Sequence, residues 1–118
     1  MHDRPLVTDD AVEQGRLPDV RASHDRDRED AVVEAVTAGF RRGEREASAA
    51  GHAITVNAII CAMRTEQRSL EIAQLAVAMR EHDPKVVAFD LAGAETGWPP
   101  SLHADALAFA RHHQLHIT

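Results

Sequence analysis

Asp90, Gly93 and Glu95 sit together just past the apolar run Val86-Val87-Ala88-Phe89, within the segment Val86-Val87-Ala88-Phe89-Asp90-Leu91-Ala92-Gly93-Ala94-Glu95. Two carboxylates at a strand end can act as an acid and a base, or can serve as caps and ion-pair partners that hold a loop. A glycine between them lets a ligand approach a backbone N–H without interference from a Cβ; it is equally suited to a turn that needs positive φ. Arg64 closes an earlier apolar run at Cys61-Ala62-Met63-Arg64 and can pair with Asp90 or Glu95 across adjacent strands, an architectural ion pair being favoured over direct ligand contact.

The elements around these residues follow from periodicity and breakers. A continuous apolar run such as Val86–Asp90 suits a parallel strand buried on both faces, and α/β folds place their chemistry at the carboxyl ends of such strands. Upstream, Ile54–Met63 reads as a second buried strand, with Cys61 as a buried small hydrophobe. Ser69 is a candidate N-cap, with Glu71 in the positive first turn of a helix over Leu70–Arg80 that buries Ile72, Leu75, Ala76 and Met79. Asp83-Pro84 ends that helix. Ser101 is the candidate cap of a further helix with Leu102, Ala106, Phe109 and Ala110 on one face, and Gln114–Thr118 begins a third strand. Before all of these, Val32, Val36, Gly39 and Phe40 recur at helical spacing, with Val33 adjoining them, Asp27 or Asp30 as N-cap and Gly51 as the terminating glycine. The order α-β-α-β-α-β predicts an α/β fold with about three parallel strands alternating with helices. Residues 1–27 hold Pro5, Gly15, Pro18 and many charges without sustained period, and are expected to be disordered or irregular, with residues 28–118 forming the folded segment.

Composition narrows the function classes. Of 118 residues, 44% are hydrophobic but only 3% aromatic, so the core must be built from small aliphatic side chains. A net charge of −6 argues against a nucleic-acid partner, and Arg41-Arg42 with Arg45 interleaves with Glu44 and Glu46 as a solvated helix face. The single cysteine excludes an internal disulfide and fits a reducing cytoplasm. With no spanning apolar run and no signal-peptide pattern, a membrane partner is not expected and a cytoplasmic location is. Eight histidines are present, His103, His112, His113 and His116 among them, but no His-x-His or Cys pair gives metal-ligand spacing.

Three segments together carry a resemblance: Asn57-Ala58-Ile59-Ile60-Cys61-Ala62-Met63-Arg64, Asp90-Leu91-Ala92-Gly93 and Trp98-Pro99-Pro100-Ser101. From about Glu29 to Thr118 the chain resembles the middle portion of the adenosine deaminase family. The departures are Ala94, where relatives often have Asp, and Thr65, where they often have His. The resemblance implies a partial TIM (β/α)8 barrel, since a closed one needs about 250 residues. It implies that the Gly93 N–H binds a purine ring nitrogen, with Asp90, Glu95 and Arg64 as supporting residues. The full-length family hydrolyses adenosine or deoxyadenosine to inosine or deoxyinosine in purine metabolism, using zinc. Its His-x-His pair, later metal ligands and His-Ala-Gly-Glu acid/base motif have no counterpart here. A truncated deaminase-like protein, inactive and zinc-free by itself, is therefore expected, able to self-associate through an open sheet. The alternative is a non-catalytic α/β interaction module or a decayed-gene remnant.

Overall fold

A computed structural model describes the backbone of residues 20–118 and the side chains of residues 26–118. The expectation of irregular structure before residue 28 falls mostly outside the described residues. Where it does not, it is revised: helix α1 runs from Val20–Ala49 and takes in residues 20–27. Helical i,i+4 charge pairing contributes there, with Arg26 Nε 3.6 Å from Asp30 Oδ1. The helix ends as foreseen at Gly51, whose φ of 91° lies in the left-handed region.

After α1 come β1 (Ala58–Met63), α2 (Ser69–His82), β2 (Val86–Ala92), a 3₁₀ turn (Pro100–His103), α3 (Ala104–His112) and β3 (His116–Ile117). The three strands form one parallel sheet in the order β1-β2-β3. This is the α/β wall expected of a partial barrel: each consecutive pair of strands is joined by a helical crossover. Register pairs Cys61 with Asp90 and Met63 with Ala92, so both strands end level with each other.

The core lies between the sheet and its helices. Phe89 and Val86 are fully buried, packed with Leu75, Val77 and Met79 of α2 and with Leu115. Ala73, Ala76, Ala106 and Ala110 are no more than 1% exposed, and these small residues let α2 and α3 approach closely. In a chain with so few aromatics, close approach replaces bulk as the way to exclude water.

Four expectations change. In α1 the inward residues are Val33 and Thr37, while Val32 and Val36 are 61% and 43% exposed. The cause is ionic. Glu29, Arg41 and Glu44, on the same stripe as Val33 and Thr37, pair with Arg68, Asp83 and Lys85 and set the helix's rotation. The basic cluster is thus only partly a solvated face: Arg42 and Glu46 pair in solvent, but Arg41 and Glu44 are tethers. Strand β1 starts at Ala58 instead of Ile54 and is buried on one face alone. Ile59 and Met63 are 48% and 44% exposed, and Cys61 is exposed as well, because no described element covers that side of the sheet. Finally, Ser69 is the first residue of α2 and not its cap, and neither Ser69 nor Ser101 caps a helix through its side chain. Among the described residues no helix is long and apolar enough to cross a membrane.

Candidate active-site loop

The carboxyl ends of β1 and β2 meet where the candidate residues lie. Asp90 projects from β2 beside Cys61, whose thiol approaches Asp90 Oδ2 at 3.7 Å. Partial burial of the thiol, and then the neighbouring Asp90 charge, hold the Cys61 pKa above its ordinary value. Cys61 is therefore a thiol and not a nucleophilic thiolate at neutral pH. Two residues after Leu91 the chain turns out of the sheet at Gly93, with φ of 100°. A Cβ added at Gly93 would lie 2.9 Å from Met63 Cε, so the absence of a side chain serves both the backbone angle and the contact across the strand ends. Gly93 and Glu95 are exposed, and Glu95 contributes its carbonyl to a turn, accepting from Trp98 N at 2.9 Å.

Arg64 does not form the ion pair expected with Asp90 or Glu95. It has left the strand and turned away from the face that carries Asp90, and it engages the loop at three points. Its backbone N–H donates to Ala92 O at 2.8 Å, just before Gly93. Its Nη1 donates to Trp98 O at 3.2 Å. Its own carbonyl accepts from His103 Nε2 at 3.0 Å. The other ring nitrogen of His103, Nδ1, lies 2.7 Å from Ser69 Oγ. His103 is 5% exposed and joins the end of β1, the start of α2 and the 3₁₀ turn. Sequence reasoning passed over His103 and Ser69 as positioning residues. The available signal is position: 103, 106 and 110 share one helical face, and it is His103 that lies inward with Ala106 and Ala110 while Leu102 is exposed.

The remaining histidines stay apart from this loop. His113 stacks on Phe109 at 4.3 Å and meets His112 edge-on at 5.1 Å. Both ring nitrogens of His103 are engaged, and among the described residues no three His, Cys, Asp or Glu side chains converge as a metal site. The described residues thus do not fit the zinc that the resemblance implies.

The wall of parallel strands is the partial barrel that the resemblance implied, and Asp-Leu-Ala-Gly stands at the carboxyl end of β2 with Gly93 at positive φ, as a turn glycine is. The family model described as adenosine deaminase matches residues 13–118. The chain belongs to the adenosine deaminase family. Its similarity to that family's curated members is high. It is 54% identical over 89 residues to an adenosine deaminase of Mycolicibacterium gilvum, covering 75% of this chain and 24% of that protein. It is 53% identical over 87 residues to adenosine deaminase 1 of Streptomyces coelicolor, covering 74% and 22% respectively. A relative from Mycolicibacterium vanbaalenii is 53% identical over 89 residues, 75% of this chain and 24% of its own. The chain spans about a quarter of the length of the curated adenosine deaminases it matches. No solved structure matches.

Proposed function

We propose that this chain provides the purine-facing wall of an adenosine deaminase-type barrel, in a reaction that hydrolyses the 6-amino group of adenosine or deoxyadenosine to give inosine or deoxyinosine. In this reading the Gly93 N–H donates to a ring nitrogen of the purine, and the missing Cβ leaves the base room to approach. Asp90 and Glu95 support the loop, Arg64 fixes both of its ends, and the metal ligands come from strands outside those described. The observation that carries the reading is the positive-φ Gly93 in Asp-Leu-Ala-Gly at the carboxyl end of β2, in a chain of this family. The test is a hybrid enzyme. The 89-residue stretch that aligns with this chain is replaced, in the Mycolicibacterium gilvum deaminase, by the corresponding residues of this one. Adenosine-to-inosine conversion by the hybrid supports the reading; a folded hybrid without turnover overturns it.

One observation favours a second reading, a non-catalytic module that self-associates. Ile59 and Met63 are exposed on the uncovered face of the sheet, and among the described residues β1 and β3 pair with β2 alone. Exposed apolar sheet faces and free edges invite association. Sedimentation showing concentration-dependent oligomers, together with an inactive hybrid, would favour this reading.

A further inference from the structure

One face of α1 turned away from the sheet carries Val32, Val36, Gly39 and Gly43, spaced four, three and four residues apart along a single line. No described element covers it: Val32 and Val36 are 61% and 43% exposed, although both are apolar. The two glycines are the stronger observation. After proline, glycine is the least favourable residue for a helix interior, because it gives up the most backbone freedom on folding. Nothing within the described chain offsets that cost. Neither Gly39 nor Gly43 has a positive φ, and a Cβ built on either meets nothing beyond the local helix backbone within 4 Å. Alanine would fit both places and favour the helix more. What glycine offers instead is a gap in the helix surface, into which the side chains of a second helix can pack closely.

The order of residues along this face identifies the second helix. Valines occupy its amino-terminal half and glycines its carboxy-terminal half. A parallel copy would set bulk against bulk and gap against gap. An antiparallel copy does the opposite. With a two-fold axis between Thr37 and Ala38, Val36 enters the gap over Gly39 of the second copy, and Val32 the gap over its Gly43. Each contact then occurs twice, as a two-fold interface requires. Ala35, exposed and small, flanks the line and leaves room for the approach. Charge agrees with the direction. Arg28 lies near one end of the face and the exposed Glu46 near the other, so antiparallel pairing sets opposite charges side by side at both ends. Glu29, the next residue, is held on the protein side by Arg68. The inward Val33 and Thr37 lie on another side of the helix, so a copy on this face leaves the packing of α1 in its own chain intact.

We propose that this face of α1 is a homodimer interface, in which two copies of the helix pack antiparallel with Val36 against Gly39 and Val32 against Gly43. The interface is distinct from the uncovered sheet face that carries Ile59 and Met63, and it does not rest on the deaminase reading. A single helix pair is a small contact, so the dimer belongs with weak, reversible associations. Sedimentation velocity of the purified chain between about 1 μM and about 1 mM is expected to show a monomer–dimer equilibrium.

The most telling variant is Gly39→Ala. In dilute solution, where the chain is monomeric, it should raise the melting temperature, because alanine favours the helix and meets no neighbour. At higher concentration it should weaken the dimer by at least about tenfold, because the added methyl group fills the gap that Val36 occupies. Opposite signs in the two measurements separate an interface from a residue that serves α1 alone. Val36→Glu should abolish association without lowering the dilute melting temperature, whereas Ile59→Thr on the sheet face should leave association unchanged. A chain that stays monomeric over the whole range, a Gly39→Ala dimer as tight as its parent, a dimer that survives Val36→Glu, or one that Ile59→Thr abolishes would each overturn the proposal.

Discussion

At the amino-terminal end of the sheet, charged side chains of α1 clamp both strand entries. Arg41 grips Asp83 with two bonds of 2.8 and 2.6 Å, and Asp83 in turn accepts from Lys85 N at 3.0 Å. Glu44 accepts from Val56 N at 2.7 Å and from Lys85 Nζ, which also reaches Val56 O at 2.8 Å. At the carboxyl-terminal end the ion pair from α1, Glu29 with Arg68, grips the start of α2 and leaves the Gly93 loop without a charged clamp among the described residues. The loop carrying Gly93 is held by single hydrogen bonds from Arg64, by His103 and by a glycine conformation. The comparison separates two tasks. Ion pairs fix the register in which β1 and β2 enter the sheet, while at the far end Gly93 is exposed and, among the described residues, Arg64 forms no ion pair. In α/β barrels these are the ends associated with stability and with chemistry respectively.

The contrast can be broken, or sharpened, by substitution. Phe89→Ala removes the largest fully buried side chain, shared by both ends, and should destabilise the chain by roughly 3–5 kcal/mol, seen as loss of a cooperative thermal transition. Gly93→Val acts at the carboxyl end only. The positive φ should cost about 1–2 kcal/mol, and Met63 must move in addition. In a double variant, Met63→Ala should restore the part due to the clash and leave the part due to φ, which thermal melts of the single and double variants can separate.

At the amino end the prediction concerns acid. The Arg41 guanidinium holds the Asp83 carboxyl well below the usual aspartate range, and the Lys85 contact likewise lowers Glu44. A depressed folded-state pKa adds stability that is present above the unfolded value and is lost as pH falls through the folded one. Melting temperature should therefore drop as pH falls below about 4. Asp83→Asn should be less stable at neutral pH and show a shallower acid dependence. An unchanged acid profile would mean that the clamp is not formed in solution. The smallest effect is expected from Arg42→Gln. The Arg42–Glu46 pair is 76% and 66% exposed, and its loss should shift stability by less than about 0.5 kcal/mol.

Features that depend on near neighbours were legible in the sequence. The Asp83-Pro84 stop, the terminating Gly51, the strand begun at Val86 and the turn at Gly93 each follow from a few adjacent residues; the strand expected over Val86–Asp90 runs on to Ala92. The rotation of α1 was not legible, because Arg41–Asp83 and Glu44–Lys85 join residues 42 and 41 apart. Apolar periodicity therefore groups Val32 and Val36 with Val33 and Phe40 and cannot single out the inward Val33 and Thr37. Ile59, Cys61 and Met63 mislead for a related reason: a one-sided strand rich in apolar residues looks the same in sequence as one covered on both faces. Arg64 was legible as a supporting residue but not in its partners, since backbone carbonyls at Ala92 and Trp98 leave no trace in side-chain chemistry.

The most direct test of the central claim, that the Gly93 loop faces the purine, uses the hybrid deaminase described above. Adenosine turnover is measured for the hybrid and for the same hybrid carrying Gly93→Val, each first shown to melt cooperatively above the assay temperature. The account predicts turnover by the first and a loss of at least about a hundredfold in kcat/KM in the second, the scale of one lost transition-state donor. A folded Gly93→Val hybrid that deaminates adenosine as well as its parent would contradict it.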